Sequence, residues 1–382
     1  MKLRDPWVSD IRTQAVCRCL TDAGYQVFFV GGCVRNALLD APVNDIDLST
    51  NAHPNVVAEL AQVAGLQVVP TGIEHGTVTV ISGGMPHEVT TFRRDVETDG
   101  RHAVVAYAET INQDALRRDF TMNALYAMPD GAVVDPLGGL PDLIGRRVRF
   151  IEDAEQRITE DYLRILRFFR FHAWYGDPEN GLDAEGLAAC AALSEGLEGL
   201  SKERVTAEML KLLAAQDPGP AMASMAMAGC LHRILPGTDP KALPILLAFE
   251  HQVGAKPDAI RRLVALGGGK VETHLRLSKA QARRVGNLRK SVSDMQGLAE
   301  TAYRHDAQSA LDVALLRAAI FETPLAPDIR EQIGKGASAA FPVKAADLMP
   351  AYQGAALGDH LRVLEDRWIA SEFSLTKQAL LR

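Results

Sequence analysis

The stretch GGCVRNALLDAPVNDIDLST (31–50) decides how the whole chain is read. Before it, QVFFV (26–30) is apolar enough for a buried strand, and the glycine pair then opens a turn into a short helix. Two aspartates follow with one residue between them. Side chains of an extended segment alternate between faces, so Asp45 and Asp47 project to one side while Ile46 and Leu48 pack inward. Two such carboxylates repel each other unless a cation lies between them, and Mg²⁺ is the usual hard ion where phosphates are present. Gly31 and Gly32 clear side chains from a place where backbone amides can approach phosphates, and Arg35 lies one turn into the helix. Glu88, in the alternating run HEVTTF (87–92), shares a face with Thr90 and could supply a third carboxylate. A glycine pair is often only a tight turn, and D-x-D occurs on many exposed edges. The ordered set of strand, glycine pair, helix and D-x-D is far more specific than its parts.

Outward from this stretch, GTVTVI (76–81) and HEVTTF read as further strands, giving a small sheet with helices on it. From about Pro141 the pattern changes to long helices, first EDYLRILRFFRFHAWYG (160–176), then ERVTAEMLKLLAA (203–215). The remainder is Ala- and Leu-rich helix. The expected fold is therefore α+β: a small mixed-sheet head (1–140), a helical neck (141–216) and a helical body and tail (217–382). At 382 residues the chain exceeds one ordinary core, which agrees with several domains.

The composition, 47% apolar and 23% charged, is that of a globular protein. The opening MKLRDPWVSDIRT carries charge where a signal peptide needs an apolar core, and no 18-residue apolar window occurs, so a cytoplasmic protein without a membrane partner is expected. No feature points to an obligate protein partner. The five cysteines lack paired C-x-x-C spacing and read as reduced packing residues. A net charge of −7 argues against indiscriminate wrapping of nucleic acid but not against a local basic groove. RLSKAQARRVGNLRK (276–290) holds Arg276, Lys279, Arg283, Arg284, Arg289 and Lys290 with no acid among them. It reads as a phosphate-contacting face or, equally, as a solvated helix surface. His305-Asp306 matches a pair used by metal phosphohydrolases but has no supporting histidines, so it reads as helix surface.

The chain resembles the class II tRNA nucleotidyltransferases (CCA-adding enzymes) and the related bacterial poly(A) polymerases. The resemblance is carried by the opening stretch, HGTVTV, HEVTTFRRD, DGRHA, RRDFTMNALY (117–126), DPLGGLPDLIGRRVRFI (135–151), EDYLRILRFFRF (160–171) and ERVTAEMLKLL (203–213), in family order. A weaker match, VKAADLMPAYQGAALGDHL (343–361), is similar to the closing segment of the helical body. The resemblance implies addition of C, C and A to the 3′ end of tRNA from CTP and ATP, with Mg²⁺. Under it Asp45 and Asp47 ligate metal, and Gly31, Gly32 and Arg35 cradle the triphosphate. Arg118 and Asp119 distinguish ribose from deoxyribose. Glu160, Asp161 and Arg164 match the E-D-x-x-R motif, whose Asp and Arg read the base.

That last role has a chemical reason. Cytosine and adenine both offer an amino donor beside a ring-nitrogen acceptor, which a carboxylate and a guanidinium complement, whereas uracil and guanine present the opposite order. Asp161 and Arg164 are three apart and are expected to share a face of one helix, where an ordinary surface ion pair is the competing reading. Two departures from the family pattern stand out: Asn36 occupies a position where aspartate is common, and Met122 one where isoleucine is usual. The rivals are a poly(A) polymerase, a partial enzyme adding only CC, and a non-catalytic RNA-binding scaffold. The segment between EVTTFRRD and RRDF, including DGRHA, resembles the CCA-adding pattern rather than the polymerase variant, the ordinary loop at 93–108 counts against a CC-adding enzyme, and the intact aspartates speak against a scaffold.

Overall fold

A computed structural model describes residues 1–70, 72–98 and 103–382. It divides into two compact units, Met1–Pro236 and Gly237–Arg382. Among the described residues no helix is long and apolar enough to cross a membrane.

The first unit is built on a sheet whose strands are β1 (Val27–Val30), β2 (Asp47–Thr50), β3 (Gln67–Val69), β4 (Thr77–Ser82) and β5 (Met85–Thr91). A hairpin, β6 (Arg93–Thr98) with β7 (Ala103–Tyr107), stands apart, and two short strands, β8 (Tyr126–Ala127) and β9 (Val133–Val134), complete the set. The sheet order is β3-β4-β5-β2-β1-β8-β9, and only β2 and β5 run parallel. The mixed sheet anticipated from the strand patterns is therefore present. The segment 93–108, read as a loop, differs: its two arms pair as hairpin strands, because ARG-rich and valine-rich extended runs satisfy each other's backbone groups. Asp99, Gly100, Arg101 and His102 of the DGRHA motif lie outside the described residues.

Strand β1 is buried along its whole length, as its apolar sequence requires. Strand β4 alternates half-buried and buried residues, so one of its faces packs on helices. In β5, His87 is fully buried and its Nε2 lies 3.0 Å from the Thr13 hydroxyl, which turns its neighbour Glu88 outward.

Helices cover 154–160, 163–175, 184–192 and 202–213 in this unit. The helix expected from residue 160 onward begins instead at Leu163. Asp161 is extended (φ −156°, ψ 102°), and its carboxylate accepts from the Leu163 N–H at 3.1 Å, so the chain stops one helix and caps the next. Phe120, Phe150, Phe168 and Phe171 pack at centroid distances of 4.8–6.3 Å, seating the Leu163–Tyr175 helix on the strand-rich part. At Gly196 a Cβ would lie 1.9 Å from the Tyr162 ring, so only glycine admits that ring at the helix break.

The second unit is helical. Its core helix, Ala307–Ile320, buries Val313, Leu315 and Leu316 together with Asp312. The charge is matched: Arg261 Nη1 donates to Asp312 at 2.7 Å and Arg284 Nη2 at 2.6 Å, while Glu250 takes Arg261 and Arg262 at 2.7 Å. A separate cluster of Val343, Leu348, Leu364, Trp368 and Leu380 closes the C-terminal part.

Candidate active site

Gly31 ends β1 with φ 67° and ψ −116°, a conformation that L side chains rarely adopt, and its N–H donates to the Leu125 carbonyl at 3.1 Å. A Cβ there would meet Arg118 Nη1 at 3.5 Å, an ordinary contact, so the backbone conformation rather than lack of space calls for glycine. Gly32 begins the helix Gly32–Leu38. Arg35 is buried within this unit. It donates to Asn123 at 2.7 Å, to the Tyr175 hydroxyl at 2.9 Å and to Asn36 Oδ1 at 2.9 Å, with its guanidinium 4.1 Å from the Tyr175 ring centroid. Asn36 also donates to the Pro42 carbonyl at 2.8 Å, so its amide does work on both sides that a carboxylate could do only as an acceptor.

Asp47 opens β2, and in the parallel pairing its partner across the ladder is Glu88 of β5. Asp45 precedes the hydrogen-bonded strand and is exposed, a correction to the reading that placed both aspartates within one strand. The alternation nevertheless holds, since Ile46 and Leu48 are buried. Burial, then the Glu88 carboxylate and more weakly Asp45, push the Asp47 carboxyl up to about 6 against the pull of Arg118 and Arg35.

Arg118 and Asp119 form the next wall, with Asp114 buried behind them. Arg118 donates Nη2 to Asp114 at 2.9 Å and Nε to the Tyr126 hydroxyl at 3.0 Å. Asp119 accepts from the Phe120 N–H at 2.9 Å, from Asn123 at 3.0 Å and from Arg167 at 2.5 and 2.6 Å. Burial works against its charge, but Arg167 and these donors outweigh it and hold its pKa at about 2.

The third wall comes from the helix break. Glu160 binds Arg157 and Arg164, both at 2.5 Å. Arg164 also donates Nη1 to the Arg157 carbonyl at 2.8 Å and Nη2 to the Arg117 carbonyl at 2.9 Å. Asp161 pairs with Arg204 at 2.6 Å rather than with Arg164. The simple i,i+3 surface pair is thereby excluded, and so is the picture of both residues on one continuous helix.

Asp47, Glu88, Arg118, Asp119, Asp161 and Arg164 meet around one cavity of about 400 Å³, together with Thr77, Thr90, Arg93, Arg117, Asn123, Arg167 and Arg204. Gly31, Gly32, Arg35, Asp45 and Glu160 are not among its described wall residues; Arg35 and Glu160 stand behind it, bracing residues that line it. Four participants escaped the sequence reading. Asp114 had a signal in its placement three and four residues before Arg117 and Arg118, and Arg167 in its placement one turn after Arg164. Arg117 was passed over beside its neighbour, and Arg204, more than forty positions from Asp161, carried no local signal.

Among the described residues no three acidic, histidine or cysteine side chains converge into a complete protein-only cation site. Mg²⁺ is commonly held by one or two carboxylates plus substrate phosphates, and Asp47 beside Glu88 across the β2–β5 ladder suits that arrangement.

In the second unit the basic run separates into two groups on the helix Lys279–Ser293. Lys279, Arg283 and Lys290 are exposed, as is Arg276 just before it. Arg284 is committed to Asp258 at 2.8 Å and Asp312 at 2.6 Å, and Arg289 to the carbonyls of Gly267 (2.7 Å) and Gly269. Arg284→Glu is expected to destabilise by roughly 3 kcal/mol, because it sets a carboxylate against the buried Asp312, whereas Arg283→Glu stays within about 0.5 kcal/mol. Thermal melts of the two variants check this.

Comparison with known proteins agrees with the fold. Residues 27–149 match the model of the poly A polymerase head domain, and residues 182–241 that described as "Probable RNA and SrmB- binding site of polymerase A". The chain is 39% identical over 218 residues to the human mitochondrial CCA tRNA nucleotidyltransferase 1, covering 56% of this chain and 50% of that protein. Over these matched regions the chain is similar to the class II tRNA nucleotidyltransferases and poly(A) polymerases. A second family member, the CCA-adding enzyme of Leuconostoc citreum, is 37% identical over 229 residues, 59% of this chain and 55% of that one. The chain spans about half the length of the curated relatives it matches. The structure of the Bacillus stearothermophilus CCA-adding enzyme in complex with CTP superimposes with a TM-score of 0.72 at 25% identity, covering 97% of this chain and 94% of that one.

Proposed function

We propose that this protein adds C, C and A to the 3′ end of tRNA, without a nucleic-acid template, from CTP and ATP in the cytoplasm. One observation supports this above the others: the Asp47–Glu88 carboxylates and the Asp161/Arg164 pair face a single nucleotide-sized cavity lined between them by arginines. The carboxylate end suits the reacting α-phosphate, and the helix break suits the base. In this reading residues 1–140 act as catalytic head, 141–216 as nucleotide-selecting neck and 217–382 as the part that holds the RNA.

The reaction joins the RNA 3′-oxygen to the α-phosphorus in line and breaks its bond to the leaving pyrophosphate. Asp47, with Asp45 and Glu88 nearby, would hold divalent ions, which we assign as Mg²⁺ and which would supply neutralisation of phosphate charge and a lowered pKa for the hydroxyl. The protein's own side chains position the partners. Arg117, Arg118 and Arg167 line the cavity between the two ends and balance triphosphate charge. The glycine turn at Gly31 and Gly32 leaves room for phosphate oxygens, and Arg35 holds that turn's helix against Tyr175.

Base choice follows from donor counting. Of Arg164's five N–H groups, three are taken by Glu160 and by the carbonyls of Arg157 and Arg117, which leaves Nε and one Nη2 hydrogen for a ring-nitrogen acceptor. Asp161, with one oxygen on Leu163 N–H and the other on Arg204, retains lone pairs for the amino group of cytosine or adenine. Uracil and guanine would set donor against donor and acceptor against acceptor.

Extension of a tRNA lacking its last three nucleotides tests the reading. Two residues are expected with CTP alone, three and then a stop with CTP plus ATP, and none with UTP or GTP. A long ladder with ATP alone would make the protein a poly(A) polymerase, a reading that the head-domain match keeps open. No extension under any condition would return the scaffold reading. In the second unit Arg283, Lys279 and Lys290 are the proposed tRNA contacts, with Arg284 and Arg289 holding their helix in place.

A further inference from the structure

Asp114 is fully buried, yet five donors converge on it. Oδ2 accepts from Arg118 Nη2 at 2.9 Å, from the Tyr126 hydroxyl at 2.8 Å and from Ser49 Oγ at 3.3 Å; Oδ1 accepts from Arg117 Nε at 3.0 Å and from the Arg93 N–H at 3.2 Å. A carboxylate has about four lone-pair sites, so this one is saturated. It is also ionised: burial alone would raise its pKa, but Arg118 and Arg117 outweigh that and hold it far below the usual carboxylate range. The five donors come from four places in the chain, namely strand β2, the first residue of β6, both arginines of the R-R-D run and strand β8. Three of those residues, Arg93, Arg117 and Arg118, line the cavity, while Asp114 itself does not.

We propose that Asp114 is a positioning residue that orients Arg118, and through it sets the preference for ribose over deoxyribose in the incoming nucleotide. The inference rests on the reading of Arg118 and Asp119 as the sugar-contacting pair. Arg118 is held at Nε by Tyr126 and at Nη2 by Asp114, so its Nη1 is the end left to face the cavity past Gly31. Asp119 has a different anchor, Asn123 and Arg167, and keeps it when Asp114 changes. Removing the Asp114 charge therefore loosens one half of the sugar contact and leaves the other in place. A hydrogen bond to a 2′-hydroxyl needs its donor within a few tenths of an ångström of the right position, whereas attraction to phosphate does not. Loosening Arg118 should accordingly cost the ribonucleotide more than the deoxyribonucleotide. Arg117 adds a second link, since its Nε is on Asp114 and its carbonyl accepts from Arg164.

The test measures kcat/KM for ATP and for dATP on a tRNA ending in CC, with the full-length chain and its Asp114→Asn, Tyr126→Phe and Arg118→Met variants, alongside thermal melts. Asp114→Asn is expected to lower the ATP/dATP ratio about tenfold. Tyr126→Phe, which removes one donor from Asp114 and one acceptor from Arg118 with little change of shape, should lower the ratio by a smaller factor. A merely structural role would reduce both substrates equally and leave the ratio untouched. Arg118→Met separates the two layers: an unchanged ratio there overturns the sugar-contact reading itself. A collapsed ratio in Arg118→Met with parental ratios in Asp114→Asn and Tyr126→Phe overturns the positioning role of Asp114. Should Asp114→Asn fail to fold, Tyr126→Phe alone decides, and a parental ratio in it rejects the proposal.

Discussion

Asp47→Asn is expected to reduce nucleotidyl transfer by about 10³-fold or more, since a metal clamp on a transferring phosphoryl group is worth several kcal/mol and about 4 kcal/mol is that factor. The same change should make the protein more stable at pH 8. Asp47 sits beside Glu88 on the neighbouring strand, and its pKa is raised from 3.8 to about 6 by burial and by that neighbour. A carboxyl whose folded pKa is raised contributes stability that is fully present below pH 3.8 and is lost as pH climbs through about 6. Asparagine has no charge to confine and does not suffer that loss. The ceiling is about 3 kcal/mol from 1.36 kcal/mol per unit, and partial exposure brings it to roughly 1–2 kcal/mol. Melting curves of parent and variant should therefore coincide near pH 3.5 and separate by a few degrees at pH 8, the variant higher. The parent's transfer rate should fall on the acid side of pH 6, with a midpoint that moves lower as divalent ion is added, because the ion favours the ionised form. A variant that keeps parental activity, or melting curves that do not separate at pH 8, would contradict the placement of Asp47 at the reacting phosphate.

Arg164→Ala is expected to lower kcat/KM for CTP and ATP by about 10²-fold and to narrow the margin over UTP and GTP, since a good bidentate base contact discriminates by roughly 1–3 kcal/mol. The fold should suffer less than the chemistry. Arg164 braces three carbonyl or carboxylate acceptors, but Glu160 keeps Arg157 as a partner after the change. Asp161→Asn probes the other half. An amide at 161 can still accept, but it also offers a donor that suits uracil and guanine, so UTP incorporation should rise relative to CTP. Arg204 makes the outcome informative, because it pairs with Asp161 at 2.6 Å and has less reason to do so with a neutral amide. Competition assays with all four nucleotides would read both changes, and unaltered selectivity in both variants would reject the helix break as the base-reading site.

Much of this site could be read before any coordinates, where the chemistry is local. The glycine after a buried strand, the alternation that keeps Ile46 and Leu48 inside, and the order of motifs along the head all follow from short-range sterics and periodicity. The acidic sequence at 160–161 was legible as a motif, but its geometry was not. A helical pattern does not reveal that Asp161 leaves the helix to cap the next one, since both conformations are compatible with the same spacing. The hairpin at 93–107 was missed for a related reason: its pairing is with itself, and the turn signals of a loop and of a long hairpin overlap.

The basic run at 276–290 shows where composition stops being informative. Six cations in fifteen residues look alike in sequence, yet Arg284 is bound to a buried aspartate while Arg283, its neighbour, is exposed. Which face of a helix meets an acid depends on what another helix presents, here Asp312, and that is a long-range fact. The sequence by itself determined the mixed-sheet head, the helical remainder and the carboxylates and arginines that suit the proposed phosphoryl chemistry, because alternation, periodicity and residue type act over a few positions. Only the tertiary structure decided that Asp47 faces Glu88, that Asp161 meets Arg204 rather than Arg164, and that Asp114 gathers the arginines, because each of those partners arrives from a different part of the chain and is chosen by the need to neutralise and saturate a charge removed from water.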